Sequence, residues 1–167
     1  MDLSNFYLLD IVLICGIPGS GKSHFAKTFF SNDNRTRINR KEIRRHLYEM
    51  SSFGQKWKEE FFDEENEILV KHVERKIFEH FLQNMDRVLV DNPCVSKTSR
   101  NNYLSIAQQK LRSTGVIFLN TPEIKCLQRN KNRPDAVPDQ VISSLYSTIE
   151  LPEKDEGFDE VLIIDTY

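Results

Sequence analysis

Eight residues, Gly16 to Ser23 (GIPGSGKS), stand between an apolar run, DIVLICG at 10–16, and an amphipathic stretch that begins at Lys22. Three glycines in a tight turn let successive backbone N–H groups converge on one anion. A helix that starts directly behind the turn adds its partial positive charge. The spacing G-x-x-x-x-G-K-[ST] is met by Gly16, Gly21, Lys22 and Ser23. Such a loop works only with a strand before it and a helix after it, so it commits the chain to an α/β architecture.

The rest of the chain agrees with that commitment. The runs at 10–16, 87–92, 115–120 and 160–165 are short, rich in Val and Ile, and do not alternate, as befits strands covered on both faces. We read the start, Met1 to Gly16, whose apolar run leads directly into the glycine loop, as the first strand. A weaker strand at 35–39 brings the number to about five. Apolar residues at Ile68, Leu69, Val73, Ile77, Phe78, Phe81 and Leu82 recur with helical spacing, and 97–115 reads as a helix opened by a Ser or Thr cap. Strands alternating with helices give a parallel sheet in a three-layer sandwich. The 167 residues suit a single domain, 1–167, and leave no room for a second catalytic one.

Composition narrows the classes further. With 39% hydrophobic and 29% charged residues, the chain reads as a soluble globular protein, and no stretch reaches the roughly 20 apolar residues that span a bilayer. Its first residues carry acids where a secretory signal carries bases. Cys15, Cys94 and Cys126 are isolated, which fits buried reduced thiols in a cytoplasmic protein. A net charge of −2 supplies no global field for nucleic acid, so such a contact would need a local patch.

The residues expected around the nucleotide phosphates are Gly16, Pro18, Gly19, Ser20, Gly21, Lys22, Ser23 and His24. Lys22 would reach the β- and γ-phosphates of ATP, and the Ser23 hydroxyl would ligate Mg²⁺. Asp91 closes the run VLVD, where a second acid would stand beside the phosphates as a metal ligand. Its plainer reading is a strand-end Asp that caps the next turn.

GIPGSGKS, INRKEIRR at 38–45, LVDN at 89–92 and the segment 121–146 together resemble the kinase domain of bacteriophage-type 5′-hydroxyl polynucleotide kinases over nearly the whole chain. The resemblance implies an adenylate-kinase-like core with a lid, here about 122–138. It implies ATP and Mg²⁺ as cofactors and transfer of the γ-phosphate to the 5′-OH of DNA or RNA, which would make nucleic acid the partner. On matched positions it implies Lys22, Asp91 and the lid arginine Arg129 as catalytic residues, with Arg133 near the nucleotide and Arg44 at the acceptor phosphate. No phosphatase activity is implied.

One position departs from that pattern. The family keeps its general base, an Asp, three residues before the acceptor arginine, and here that position is Lys41. Glu42 is the natural substitute, since it stands three residues before Arg45; the alternative is a solvated Glu42–Arg45 helix pair. Losing the base would leave a slow kinase, because a base contributes about 10²- to 10⁴-fold while positioning and charge neutralisation supply the rest. For Arg129 and Arg133 the competing reading is a basic helix end favoured by the dipole.

Six cations fall within 35–45: Arg35, Arg37, Arg40, Lys41, Arg44 and Arg45. Beside a phosphate-transfer site such density points to an anionic acceptor, bound by Arg40, Lys41, Arg44 and Arg45. Tyr48, Phe53 and Trp57 follow, and they could stack a base or simply pack. Two function classes remain: a kinase for a polynucleotide or another hydroxyl, such as a modified base, a nucleoside, a seryl group on tRNA or a small molecule, and a degenerate ATP-binding module. A module without catalysis has no use for Arg129.

Overall fold

Strands that must bury both faces need helices on each side, and the computed structural model, which describes residues 1–166, arranges the chain in that way. In chain order the elements are β1 (Ile11–Cys15), α1 (Lys22–Phe30), β2 (Thr36–Ile38), α2 (Arg40–Ser51), α3 (Glu64–Gln83) and β3 (Val88–Asp91). There follow α4 (Lys97–Gln109), β4 (Thr114–Asn120), α5 (Glu123–Lys131), α6 (Asp139–Ser147) and β5 (Glu160–Asp165). The five strands form one parallel sheet in the order β2-β3-β1-β4-β5. It is a three-layer P-loop kinase fold with β1 at the centre.

Alternate residues of each central strand feed opposite cores. Leu13, Val90, Val116 and Phe118 meet Phe78, Leu82, Leu104 and Ala107 of α3 and α4. Val12, Ile14, Leu89, Ile117 and Leu119 meet Phe25, Ala26 and Phe30 of α1. A third cluster, Ile17, Val95, Cys126 and Ile142, joins the phosphate loop to α5 and α6. That small core seats the segment expected to be the lid directly on the loop.

Two local readings change. The first strand starts only at Ile11, and Phe6–Leu8 form a 3-10 turn whose Phe6, with Leu3 and Leu9, covers the α1 face of the sheet. A strand there would have extended beyond its neighbours, because Ile11 already pairs with the first residues of β3 and β4. The expected 35–39 strand shrinks to Thr36–Ile38 at the sheet edge, since Asn39 becomes the cap of α2. Caps fix other ends: Asp63 accepts from Glu65 N and Asn66 N at α3, and Ser96 forms a capping box with Ser99 at α4. Cys15, Cys94 and Cys126 are free and buried. Among the described residues no helix is long and apolar enough to cross a membrane.

Candidate functional site

The phosphate loop turns on glycines in the left-handed region: Gly16 at φ 139°, Gly19 at 85° and Gly21, the N-cap of α1, at 102°. Gly16 N donates to Pro93 O at 2.8 Å and Ser20 N to Ile17 O at 3.1 Å, so the loop is tied to the end of β3 and to itself. Gly19 also has no room for a side chain: a Cβ would stand 2.9 Å from Cys126 Cα and closer still to its carbonyl oxygen. The lid-side helix therefore touches the loop backbone to backbone.

Lys22 Nζ donates to Ile17 O at 2.9 Å, spanning the loop from within. Burial pushes its pKa down, against the pull of the Asp91 charge. Ser23 is exposed in the first turn of α1, as is His24, while Pro18 is half-buried in the loop. Buried Ser20 Oγ has no hydrogen-bond partner among the described residues.

Asp91 lies level with Ile14 in the sheet and is 1% exposed. Its Oδ2 accepts from Arg37 Nε at 3.0 Å, Arg37 Nη2 at 2.6 Å and Asn39 Nδ2 at 3.2 Å. Its Oδ1 accepts from nothing among the described residues. A buried carboxylate oxygen left without a donor is costly unless a ligand completes it. The orphaned Asp91 Oδ1, the orphaned Ser20 Oγ and the glycine cradle fit a bound phosphate chain with its cation, so the residues present suit ATP and Mg²⁺.

Arg37 and Asn39 were not among the expected site residues. Arg37 also donates through Nη1 to Glu42 Oε1 at 2.9 Å, and Asn39 Oδ1 caps α2 by accepting from Glu42 N at 3.0 Å. Burial works against the Arg37 charge, and its bonds to Glu42 and Asp91 outweigh that, raising its pKa. Register is the signal that would have found it: Arg37 pairs with Leu89, two residues before Asp91, and so shares its face. Glu42, the candidate base, is about half exposed and stands at a groove of about 310 Å³ lined by Ile43, His46, Val73 and Ile77. Its partner is Arg37; the expected pair with Arg45 is not formed, and Arg45 is exposed without an ion pair among the described residues.

The other acceptor-side cations are committed within the fold. Arg40 Nε donates to Glu74 Oε2 at 2.6 Å, and Arg40 N to Asn92 Oδ1 at 2.8 Å. Glu74, 2% exposed, also accepts from Tyr103 Oη at 2.5 Å and from Asn92 Nδ2. Burial opposes the Arg40 charge, but the facing Glu74 carboxylate holds it above its ordinary value. Arg44 is bound bidentately by Glu67, at 2.7 and 3.0 Å, and its guanidinium lies 6.0 Å from the Trp57 ring and 5.4 Å from that of Phe62. Lys41 reaches across to Glu59 Oε1 at 2.9 Å and Asp135 Oδ2 at 3.0 Å. Tyr48 stacks on Phe61 with centroids 5.1 Å apart, and Phe53 is fully exposed.

On the donor side, Arg129 Nη1 approaches Gly19 O at 3.4 Å and Ser20 O at 3.5 Å, placing this arginine on the phosphate loop. Arg133 is instead bound to Asp135 through two bonds of 2.9 Å. That hydrogen bonding, opposed by burial and aided by Lys41, brings the Asp135 carboxyl to about 2.

Comparisons with known proteins bear on the fold and the family. The curated L-seryl-tRNA(Sec) kinase of Methanococcus maripaludis is 28% identical over 145 residues, which are 85% of this chain and 53% of that protein. The chain thus spans about half the length of this relative. Among solved structures, a gluconokinase from Sinorhizobium meliloti 1021 matches with a TM-score of 0.60 at 15% identity, covering 92% of this chain and 81% of that one. A sugar kinase from Janibacter sp. HTCC2649 matches with a TM-score of 0.62 at 15% identity, covering 94% and 85%. A family model described as an AAA domain matches residues 11–152. With the phosphate loop, Asp91 and Arg129 all inside the matched span, the chain belongs to this AAA domain family, AAA_33.

Proposed function

We propose that the protein is an ATP-dependent kinase that transfers the γ-phosphate to a hydroxyl borne on a polynucleotide, with the 5′-OH of DNA or RNA as the first acceptor to test. The observation that carries the reading is the half-satisfied Asp91: one oxygen locked by Arg37 and Asn39, the other buried, unpartnered and beside a phosphate loop on which Arg129 rests. A module that only binds a nucleotide needs neither the arginine nor a carboxylate so held.

In this reading the loop N–H groups and Lys22 would hold the β- and γ-phosphates, and Ser23 with Asp91 would hold Mg²⁺, which would neutralise phosphate charge. Arg129 turns from the loop carbonyls to the transferred group, whose spread charge it stabilises. Glu42, whose Oε1 is occupied by Arg37, offers its other oxygen to the acceptor's proton. Arg37 fixes both carboxylates at once.

The polynucleotide acceptor is supported by the resemblance to polynucleotide kinases and by the tRNA-linked substrate named for the Methanococcus relative. The sugar and gluconate kinases share the fold alone. The test is transfer of γ-labelled phosphate from ATP to 5′-OH DNA and RNA strands, 5′-phosphorylated controls, hydroxymethylated DNA, seryl-tRNA, free nucleosides and sugars. Label on the 5′-OH strands alone supports the reading. Label on seryl-tRNA keeps a polynucleotide acceptor but moves the hydroxyl; label only on sugars or free nucleosides refutes it, and no label anywhere leaves an ATP-binding module.

A further inference from the structure

Position 41, where the resemblance calls for a proton-accepting Asp, holds a lysine whose ammonium stands between two carboxylates. An ammonium has three donors and no acceptor. One is donated to Asp135 O at 2.7 Å, and the charge forms ion pairs with Glu59 Oε1 at 2.9 Å and Asp135 Oδ2 at 3.0 Å. Its partners come from two separate pieces of chain, the 3-10 turn Glu59–Phe61 between α2 and α3 and the loop between α5 and α6.

That second loop is closed on itself. Buried Asn130 donates to Val137 O at 2.7 Å and accepts from Val137 N at 3.1 Å, so residues 130–137 form a ring, braced inside by the Arg133–Asp135 pair. Arg129, next to the ring's anchor, lies on the phosphate loop. On the other side, α2 is fixed to the end of β3 by Asn39 on Asp91 and by Arg40 N on Asn92, and to α3 by Arg40 on Glu74. Lys41 is the side chain that connects the two bodies.

We infer that Lys41 is a positioning residue, a strut that ties the 130–137 ring to the acceptor helix and thereby sets Arg129 over the phosphate loop, and that it takes no proton from the acceptor. The inference deepens the kinase reading and rests on it for its catalytic consequence. Where the resemblance implies a base, this chain couples the acceptor side to the lid.

The variants Lys41→Arg, Lys41→Met and Lys41→Asp separate the possibilities. Arg keeps the charge and the donors, Met keeps the length without either, and Asp sets a third carboxylate against Glu59 and Asp135. The strut requires the order Arg, then Met, then Asp in two readouts. Amide-exchange protection across 132–137 should fall at least about tenfold in Met and further in Asp. The KM for ATP should rise in the same order, with the KM for the acceptor unchanged. A Lys41→Asp protein that outpaces the wild type, or a Lys41→Met protein with unchanged exchange, overturns the strut. A raised KM for the acceptor alone overturns it in favour of a phosphate contact. Should the wild type transfer no phosphate at all, the exchange order still decides the strut, while the kinase reading falls separately.

Discussion

Gly19→Ala probes a place where the phosphate loop and the lid-side helix meet through backbone. At φ 85° any residue with a Cβ is strained, by about 1–2 kcal/mol. The methyl would also stand 2.9 Å from Cys126 Cα and 3.0 Å from its carbonyl carbon. Neither atom can rotate away, so α5 must move, at an overpacking cost of about 1–3 kcal/mol. Gly54 is an internal control: its φ is 95°, yet nothing lies within 4 Å of a Cβ there. Gly54→Ala should therefore carry the backbone strain alone. At about 2–4 °C of Tm per kcal/mol for a chain of this size, the expected losses are roughly 10 °C for Gly19→Ala and roughly 4 °C for Gly54→Ala. Calorimetry of the two variants with the wild type measures both. Because α5 carries Arg129, Gly19→Ala should also weaken ATP binding at least about tenfold in titration calorimetry, which Gly54→Ala should not. Equal Tm losses with undisturbed ATP binding would refute the claim that the loop and α5 are in contact.

Four further single substitutions and one double change test the site and its support. Lys22→Ala should abolish transfer with the fold intact by circular dichroism, and Arg129→Ala should lower kcat by about 10³ or more, as for arginine fingers. Glu42→Gln should lower kcat by about 10²–10⁴ if Glu42 accepts the proton, and an unchanged kcat removes it from that role. Glu74→Ala leaves the Arg40 guanidinium without its carboxylate at a cost of about 3–5 kcal/mol, whereas the double change Glu74→Leu with Arg40→Met should recover most of the lost Tm.

The central strands were legible because parallel strands are buried on both faces, so VLICG, VLVD and VIFLN carry continuous apolar runs; VLIID carries the same pattern, but as an edge strand it is only partly buried and Ile163 is exposed. The phosphate loop was legible because its chemistry is local: glycines, a lysine and a serine within eight residues. The surroundings of Asp91 were not. Arg37 sits 54 residues away on a three-residue edge strand, and only the strand register brings it to the carboxylate. Likewise Lys41 and Asp135 are 94 residues apart and Arg40 and Glu74 are 34 apart. Spacing along a helix could suggest Glu42 with Arg45, but the partner across the sheet edge won, because Arg37 is already fixed by Asp91.

The same pairings change what the cation-rich segment 35–45 means for an acceptor. Counted from the sequence it offers six cations to a polyanion. In the fold Arg35 faces Asp33, Arg37 faces Asp91 and Glu42, Arg40 faces Glu74, Lys41 faces Glu59 and Asp135, and Arg44 faces Glu67. Arg45 alone stays unpaired among the described residues. An acceptor phosphate can reach Arg44 only by displacing Glu67, an exchange of one anion for another that releases few counterions. Six free phosphate contacts would give a log-log salt slope near −4 for single strands, at about −0.7 per contact, whereas one or two give about −0.7 to −1.4. Measuring the KM for a 5′-OH strand between low and moderate salt therefore tells the two apart. A steep slope would mean that the ion pairs open when the acceptor binds, and a shallow one that the acceptor is held by its end and not along its backbone.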